Sequence, residues 1–366
     1  MIINEHLLII PALITAILIS YLLMPIMIKA SVIKKLIEDQ EFNWSIKRNI
    51  IPAIGGIGVL TAFIVSFYIW GNINSLVSYP YLIAGLFILL LLSLSDGVFL
   101  NPTKKYAIQT IAAGEMVIGG NLVIENLHGL FGLYLIPWPL GAAVAVALVV
   151  WLINAFKSID GIDGLAGGIG TIASTILGIW FWSSGFGILA VFSFVLTGAL
   201  IGFLIFNIHP AKIFMGKTGA MALGYILAFL TLNFIVINSR LENGFFTQNA
   251  HLFSLAILIV PIIDTIRSLL YRIIKRTGVI LSDYYHTHDE LIQEGTPEHF
   301  ISFYLWIGNL LIIAFAFLFI ELETNLYAIL IFGSGIVMLP VIVYLHRSIH
   351  RSQKKIFNKG KNTLYE

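Results

Sequence analysis

The sequence predicts an all-α polytopic membrane protein of about eleven transmembrane helices, with its amino terminus outside and its carboxyl terminus cytoplasmic. Three observations carry this prediction. The 366 residues are 58% hydrophobic and only 11% charged, with a mean hydropathy of +0.94, whereas a soluble chain needs roughly a quarter of its residues charged to cover its exterior. Apolar stretches of about 18 to 23 residues, the length of helix that crosses roughly 30 Å of hydrocarbon, recur along the chain. When the connections alternate across the membrane, all of the 21 Lys and Arg except Arg240 fall on one side, which the positive-inside rule assigns to the cytoplasm. This composition excludes a soluble enzyme, a disordered tail and a nucleic-acid binder. The absence of cysteine excludes disulfides, thiolate nucleophiles and Cys-ligated metals.

The predicted spans cover residues 7–28, 52–70, 79–94, 107–123, 140–156, 165–182, 186–206, 218–237, 251–271, 302–320 and 326–346. The first has no basic region before it and no small-residue cleavage site after it, so it reads as a retained helix. Residues 1–366 form one integral membrane domain, with a long cytoplasmic loop at 272–301 and a basic cytoplasmic tail at 347–366 that attracts anionic lipid. The outer connections are short and nearly uncharged, while the inner ones carry Asp, Lys, His and clustered glycine, so the chemistry is expected at the cytoplasmic face.

Four inner connections stand out. These are SDGVFLNPTKK from Ser95, NAFKSIDGIDGLAGG from Asn154, FNIHPAKIFMGKTGAMALG from Phe206, and the stretch from Arg272 to Phe300 with HTHDE. Asp160 and Asp163 lie three apart, each followed by a glycine (Gly161, Gly164), so both carboxylates can share one side of a turn. That pattern suits a metal or a phosphate-bound metal; helix breaking at the membrane surface explains it equally well. MGKTGA leads into a span, where exposed N–H groups and the helix dipole favour an anion, although capping by Thr218 accounts for it as well. It lacks the upstream glycine and strand of a Walker A loop. His286 and His288 converge on one ligand only if they lie on a loop, and a solvated loop is the commoner reading. Asp264 and Arg267 are spaced for an intramembrane pair, and Glu115 falls near the middle of the fourth span.

Taken together, these loops resemble the polyprenyl-phosphate N-acetylhexosamine-1-phosphate transferases, the family that includes UDP-N-acetylglucosamine:undecaprenyl-phosphate transferases and phospho-N-acetylmuramoyl-pentapeptide transferase. PAIGGIG from Pro52, the inner loop followed by Gln109, NAF followed by DGIDGLAGG, FMG with TG and LG, and VPIIDT from Val260 occur in the family's order over nearly the whole chain. The resemblance implies transfer of a sugar 1-phosphate from a UDP-N-acetylhexosamine to polyprenyl phosphate, with magnesium, releasing UMP at the cytoplasmic face of a bacterial inner membrane. It implies Asp96, Asp160, Asp163, His286 and His288 as catalytic residues, with Asp96 toward the metal. Lys104, Lys105, Asn154, Lys157, Gly161, Gly164 and Lys217 are implied on the substrate side. The implied partners are polyprenyl phosphate, the UDP-sugar, membrane lipids and a second copy of the chain.

The departures from the family pattern fall at chemical positions. The family has aspartate at Ser95, asparagine at Lys157, aspartate at Lys217, serine at Ala220 and histidine at Asp289, and commonly arginine and histidine near Trp44 and Lys47. An ammonium at a metal-ligand position opposes the cation by about 4 kcal/mol at ~4 Å and an effective dielectric of ~20. The expectation is a lost or weakened magnesium site, with Lys157 and Lys217 paired to Asp96, Asp160 or Asp163. Three readings remain open: a divergent transferase, a catalytically silent homologue that binds lipid phosphate or nucleotide sugar as a partner or regulator, and a transporter or channel. The last lacks a repeat-related pair of broken helices.

Overall fold

The computed structural model describes residues 5–38, 51–71, 78–94, 101–241, 247, 249–275, 298–338 and 340–342. It is a helical bundle with one short hairpin. The helices are α1 (Glu5–Glu38), α2 (Gly55–Trp70), α3 (Tyr79–Leu94), α4 (Pro102–Gly114), α5 (Trp138–Ile159), α6 (Leu165–Ser183) and α7 (Gly187–Asn207). They continue with α8 (Gly216–Asn238), α9 (Ala250–Ile257), α10 (Ile259–Lys275), α11 (Glu298–Leu318) and α12 (Thr324–Ile342). A hairpin of β1 (Asn126–Leu130) and β2 (Leu133–Leu135) joins α4 to α5.

Among the described residues seven helices are long and apolar enough to cross a membrane, or eight with α9 and α10 taken as one broken span. The chain is thus polytopic. Helices α2 and α3 are apolar but have 16 residues each, and α4 is a 13-residue helix extended by a π turn at Glu115–Gly119. Glu115 therefore sits near the end of its helix rather than mid-span, and it is exposed.

Helix α8 is the axis of the bundle, buried along nearly its whole length. Small residues let its neighbours approach. A Cβ on Gly56 of α2 would overlap the Cα of Gly219 on α8, so this crossing exists only because both residues lack side chains. Gly198 and Gly202 of α7 do the same against the Leu13 and Ile17 carbonyls of α1, where the Ser20 hydroxyl also donates to the Ala199 carbonyl at 2.7 Å. Aromatic edges fill the space between α2, α7 and α8: Phe192 meets Phe63 at 4.8 Å and Phe67 at 5.0 Å between ring centroids, both edge-to-face.

The predicted span at 251–271 is not one helix. It breaks at Leu258 with a bend of 79° between α9 and α10. Pro261 explains the break, because its ring displaces the carbonyl four residues back, that of Ile257. That carbonyl instead accepts from Asn309 Nδ2 of α11 at 3.1 Å, so the backbone group freed by the proline is satisfied inside the bundle.

The helix ends sort into two sets. At one end Gly55 and Gly56 N–H donate to the Phe214 and Met215 carbonyls, and Phe214 N–H donates to the Pro52 carbonyl. Ser93 at the end of α3 touches Thr218 of α8, and the Ser302 hydroxyl of α11 donates to the Asp163 carbonyl at 2.6 Å. At the opposite end Asn249 Nδ2 donates to the Ile320 and Leu322 carbonyls, Asn238 pairs with Thr247, and Thr324 Oγ1 donates to the His128 carbonyl. This is the partition of ends that alternating connections predict, with Arg240 in the second set.

Candidate active site at the shared helix ends

The candidate site is built on the connection between α7 and α8, residues 208–215, and on the turn between α5 and α6. Asn207 organises both. Its Oδ1 accepts from Gly164 N–H at 3.0 Å, and its Nδ2 donates to the Ile213 carbonyl at 2.9 Å. Gly164 has a φ of +77° and opens α6 with the Trp306 ring packed against it, a conformation and a clearance that only glycine meets at low cost.

Asp160 and Asp163 do not converge on one ligand. Asp163 is buried, and its Oδ2 accepts from His209 Nδ1 at 2.9 Å and from Ala211 N–H at 3.1 Å. The Asp160 carboxylate instead accepts from the backbone N–H of Gly216. Burial pushes the Asp160 carboxyl up to about 7, against the opposing pull of that hydrogen bond. The amino terminus of α8 thus faces the Asp160 carboxyl, a group of the chain itself. Gly216 takes a φ of +80°, and a Cβ there would overlap the Ala53 carbonyl.

Several expectations are corrected here. Thr218 does not cap α8, which has no side-chain cap; its hydroxyl meets Ser93. Gly164 is buried, and its N–H donates to Asn207 Oδ1. Asn154 is held between α5 and α4, its Nδ2 donating to Gln109 Oε1 and the Val150 carbonyl, both at 2.8 Å. Lys217 is exposed on the first turn of α8 and, among the described residues, forms no ion pair with Asp160 or Asp163. The expected lysine partner of Asp163 is replaced by His209. Lys104 and Lys105 lie on the first turn of α4, Lys104 exposed and Lys105 half-buried; Lys157 is half-buried on the last turn of α5, and Gly161 is exposed. Asp264 is buried on α10 while Arg267 is exposed. Ser95, Asp96, Asp289, His286, His288, Trp44 and Lys47 lie outside the described residues.

The sequence reading missed His209. It stood in view in FNIHPAKIFMG, but a single histidine before a proline carries no spacing signal, and its partner Asp163 is 46 residues away.

Residues 79–235, from α3 to α8, match the family model described as Glycosyl transferase family 4. Through this region the chain is similar to that family. Among its relatives is a probable undecaprenyl-phosphate N-acetylglucosaminyl 1-phosphate transferase of Bacillus subtilis, 28% identical over 285 residues that cover 76% of each chain. A decaprenyl-phosphate N-acetylglucosaminephosphotransferase of Mycolicibacterium smegmatis is 32% identical over 64% of this chain and 61% of its own length. A phospho-N-acetylmuramoyl-pentapeptide-transferase of Shouchella clausii is 32% identical over 51% of this chain and 62% of its own. The matched region contains Asp160, Asp163, His209, Lys104, Lys105 and Lys217, so the turns described above lie within the part of the chain that matches the family model.

Proposed function

We propose that this chain transfers N-acetylhexosamine 1-phosphate from a UDP-sugar to polyprenyl phosphate in bacterial cell-envelope synthesis. The site end faces the cytoplasm, and the chain crosses the inner membrane about eleven times. The observation that carries this reading is the meeting of the motif-bearing ends of α2, α3, α5, α6, α7 and α8 at one end of the bundle, with the basic residues Lys104, Lys105, Lys212 and Lys217 on elements that reach it. Two anionic reactants must come together there, and clustered ammonium groups lower the cost of bringing them close.

In this reaction an oxygen of the lipid phosphate attacks the phosphorus that bears the sugar. The bond from that phosphorus to the oxygen shared with UMP breaks, and UMP leaves with the electron pair. His209 Nδ1 lies 2.9 Å from Asp163 Oδ2, the contact by which a carboxylate orients an imidazole for proton transfer. We assign it the proton of the polyprenyl phosphate monoanion. Lys104 and Lys105 act as point charges for the phosphates, and Asp160 holds the start of α8 in place. Among the described residues no group of three or more acidic or histidine side chains comes together, and Asp96, which the resemblance implies toward magnesium, lies outside them. No step is derived through the metal.

The test uses purified protein with polyprenyl phosphate and labelled UDP-N-acetylglucosamine. Formation of lipid-linked sugar phosphate is expected, with loss of product in His209→Ala. No product from the natural chain, with activity restored by Ser95→Asp, Lys157→Asn and Lys217→Asp together, would replace this reading with that of a silent homologue.

A further inference from the structure

The β1–β2 hairpin lies at the end opposite the candidate site and is fastened to the bundle against α9 and the start of α12. Thr324 Oγ1 donates to the His128 carbonyl at 2.8 Å, and Phe131 N–H donates to Asn325 Oδ1 at 2.8 Å. The His128 ring lies 5.6 Å from that of His251 on α9, nearly parallel to it. The other side carries large apolar groups in the open: Phe131 is 83% exposed, Tyr134 68% and Leu135 78%. All three residues of β2 are exposed.

A water-facing hairpin would keep such residues few and scattered. Here they are followed by Trp138, Leu140 and Val144, exposed residues of membrane-crossing α5. No Asp, Glu, Lys or Arg occurs between Glu125 and Lys157, so nothing charged has to be desolvated if this surface meets lipid. Aromatic residues with a polar tip, here Tyr134 and Trp138, favour the level of the headgroups. Among the described residues the sheet has two strands, which leaves outer-edge backbone groups without sheet partners there. Those groups bar the hairpin from dry hydrocarbon and place it at the boundary, where headgroups and water satisfy them.

We propose that the hairpin is an interfacial anchor whose partner is the headgroup–acyl boundary of the lipid leaflet at the end opposite the candidate site. The surface of Phe131, Tyr134, Leu135 and Trp138 lies in that boundary and fixes the tilt of α5, whose far end carries Lys157 and leads into Asp160. The anchor depends on the membrane embedding of the bundle and not on the transfer chemistry.

The natural absence of cysteine makes the test direct. Full-length Tyr134→Cys and Leu135→Cys, each carrying a nitroxide, are reconstituted in phosphatidylglycerol–phosphatidylethanolamine vesicles beside an Arg240→Cys reference at the same end. Collision with dissolved oxygen is compared with collision with a water-soluble nickel chelate. The anchor requires an oxygen-to-nickel ratio roughly tenfold higher at the hairpin sites than at Arg240. A ratio equal to that of the reference at both hairpin sites would overturn it. So would dipolar broadening that grows with protein-to-lipid ratio, because a second copy of the chain would then be the occupant. Two labelled sites on exposed side chains guard against local disruption by either label.

Discussion

Replacing Asp163 by alanine removes an acceptor that serves two donors in a buried setting, His209 Nδ1 at 2.9 Å and Ala211 N–H at 3.1 Å. Hydrogen bonds to an ionised partner contribute about 1.5–3 kcal/mol each, so losing both costs about 3 kcal/mol at the lower end. Asp163→Asn has nearly the same shape and keeps one carbonyl acceptor, so its cost should be about half as large. The two variants differ less in activity than in stability, because neither amide nor methyl holds the ring as the carboxylate does. Turnover should fall by about 10²-fold in both, on the scale of a misplaced general base. The assay pairs tryptophan-fluorescence melting in detergent with UMP release. Alanine and asparagine variants that melt together with the parent would refute the claim that Asp163 organises the 208–215 connection. Undiminished turnover would refute its role in orienting His209.

Other outcomes follow from the same geometry. The Asp160 carboxyl, raised from 3.8 to about 7, binds its proton more tightly in the folded than in the unfolded chain. Stability should therefore fall as pH rises from about 4 to 7 and level off above; Asp160→Asn should melt with a smaller difference between pH 5 and pH 8 than the parent. Asn309→Leu strands the Ile257 carbonyl at the α9–α10 bend and should cost about 1–3 kcal/mol, a loss that Pro261→Ala partly restores by returning a backbone donor, as read by melting of the single and double variants. Gly56→Ala forces a methyl onto the Gly219 backbone and should destabilise by about 1–3 kcal/mol, measured the same way. Lys104→Gln with Lys105→Gln should raise KM for the UDP-sugar and flatten its dependence on ionic strength, because screening acts on charges that the variant lacks.

Much of the architecture is legible in the sequence because a bilayer asks so much of a helix. Length and apolarity are local properties, and they mark a helical, polytopic chain, although seven or eight described helices rather than eleven are long and apolar enough to span. The 79° break is also readable, since Pro261 sits where its ring must displace the Ile257 carbonyl, but 251–271 is apolar enough to read as one span and hydropathy does not register a bend. The hairpin at 126–135 hides for a related reason: NLHGLFGLYL lacks the alternation of a half-buried strand, because one strand is partly covered along its length and the other exposed along its length. Within the candidate site, spacing brings Asp160 and Asp163 together and the fold separates them, one to Gly216 and the other to His209. Contacts of that kind depend on how α6, α7 and α8 cross, which close glycine approaches decide.

The most direct measurement is the stoichiometry of the nucleotide product. Purified protein is given polyprenyl phosphate and UDP-N-acetylhexosamine labelled in the sugar and in the uridine. The account predicts one UMP for each lipid-linked sugar phosphate, with both lost together in His209→Ala. Release of UDP with the sugar moved alone, or labelled lipid formed without UMP, would contradict it.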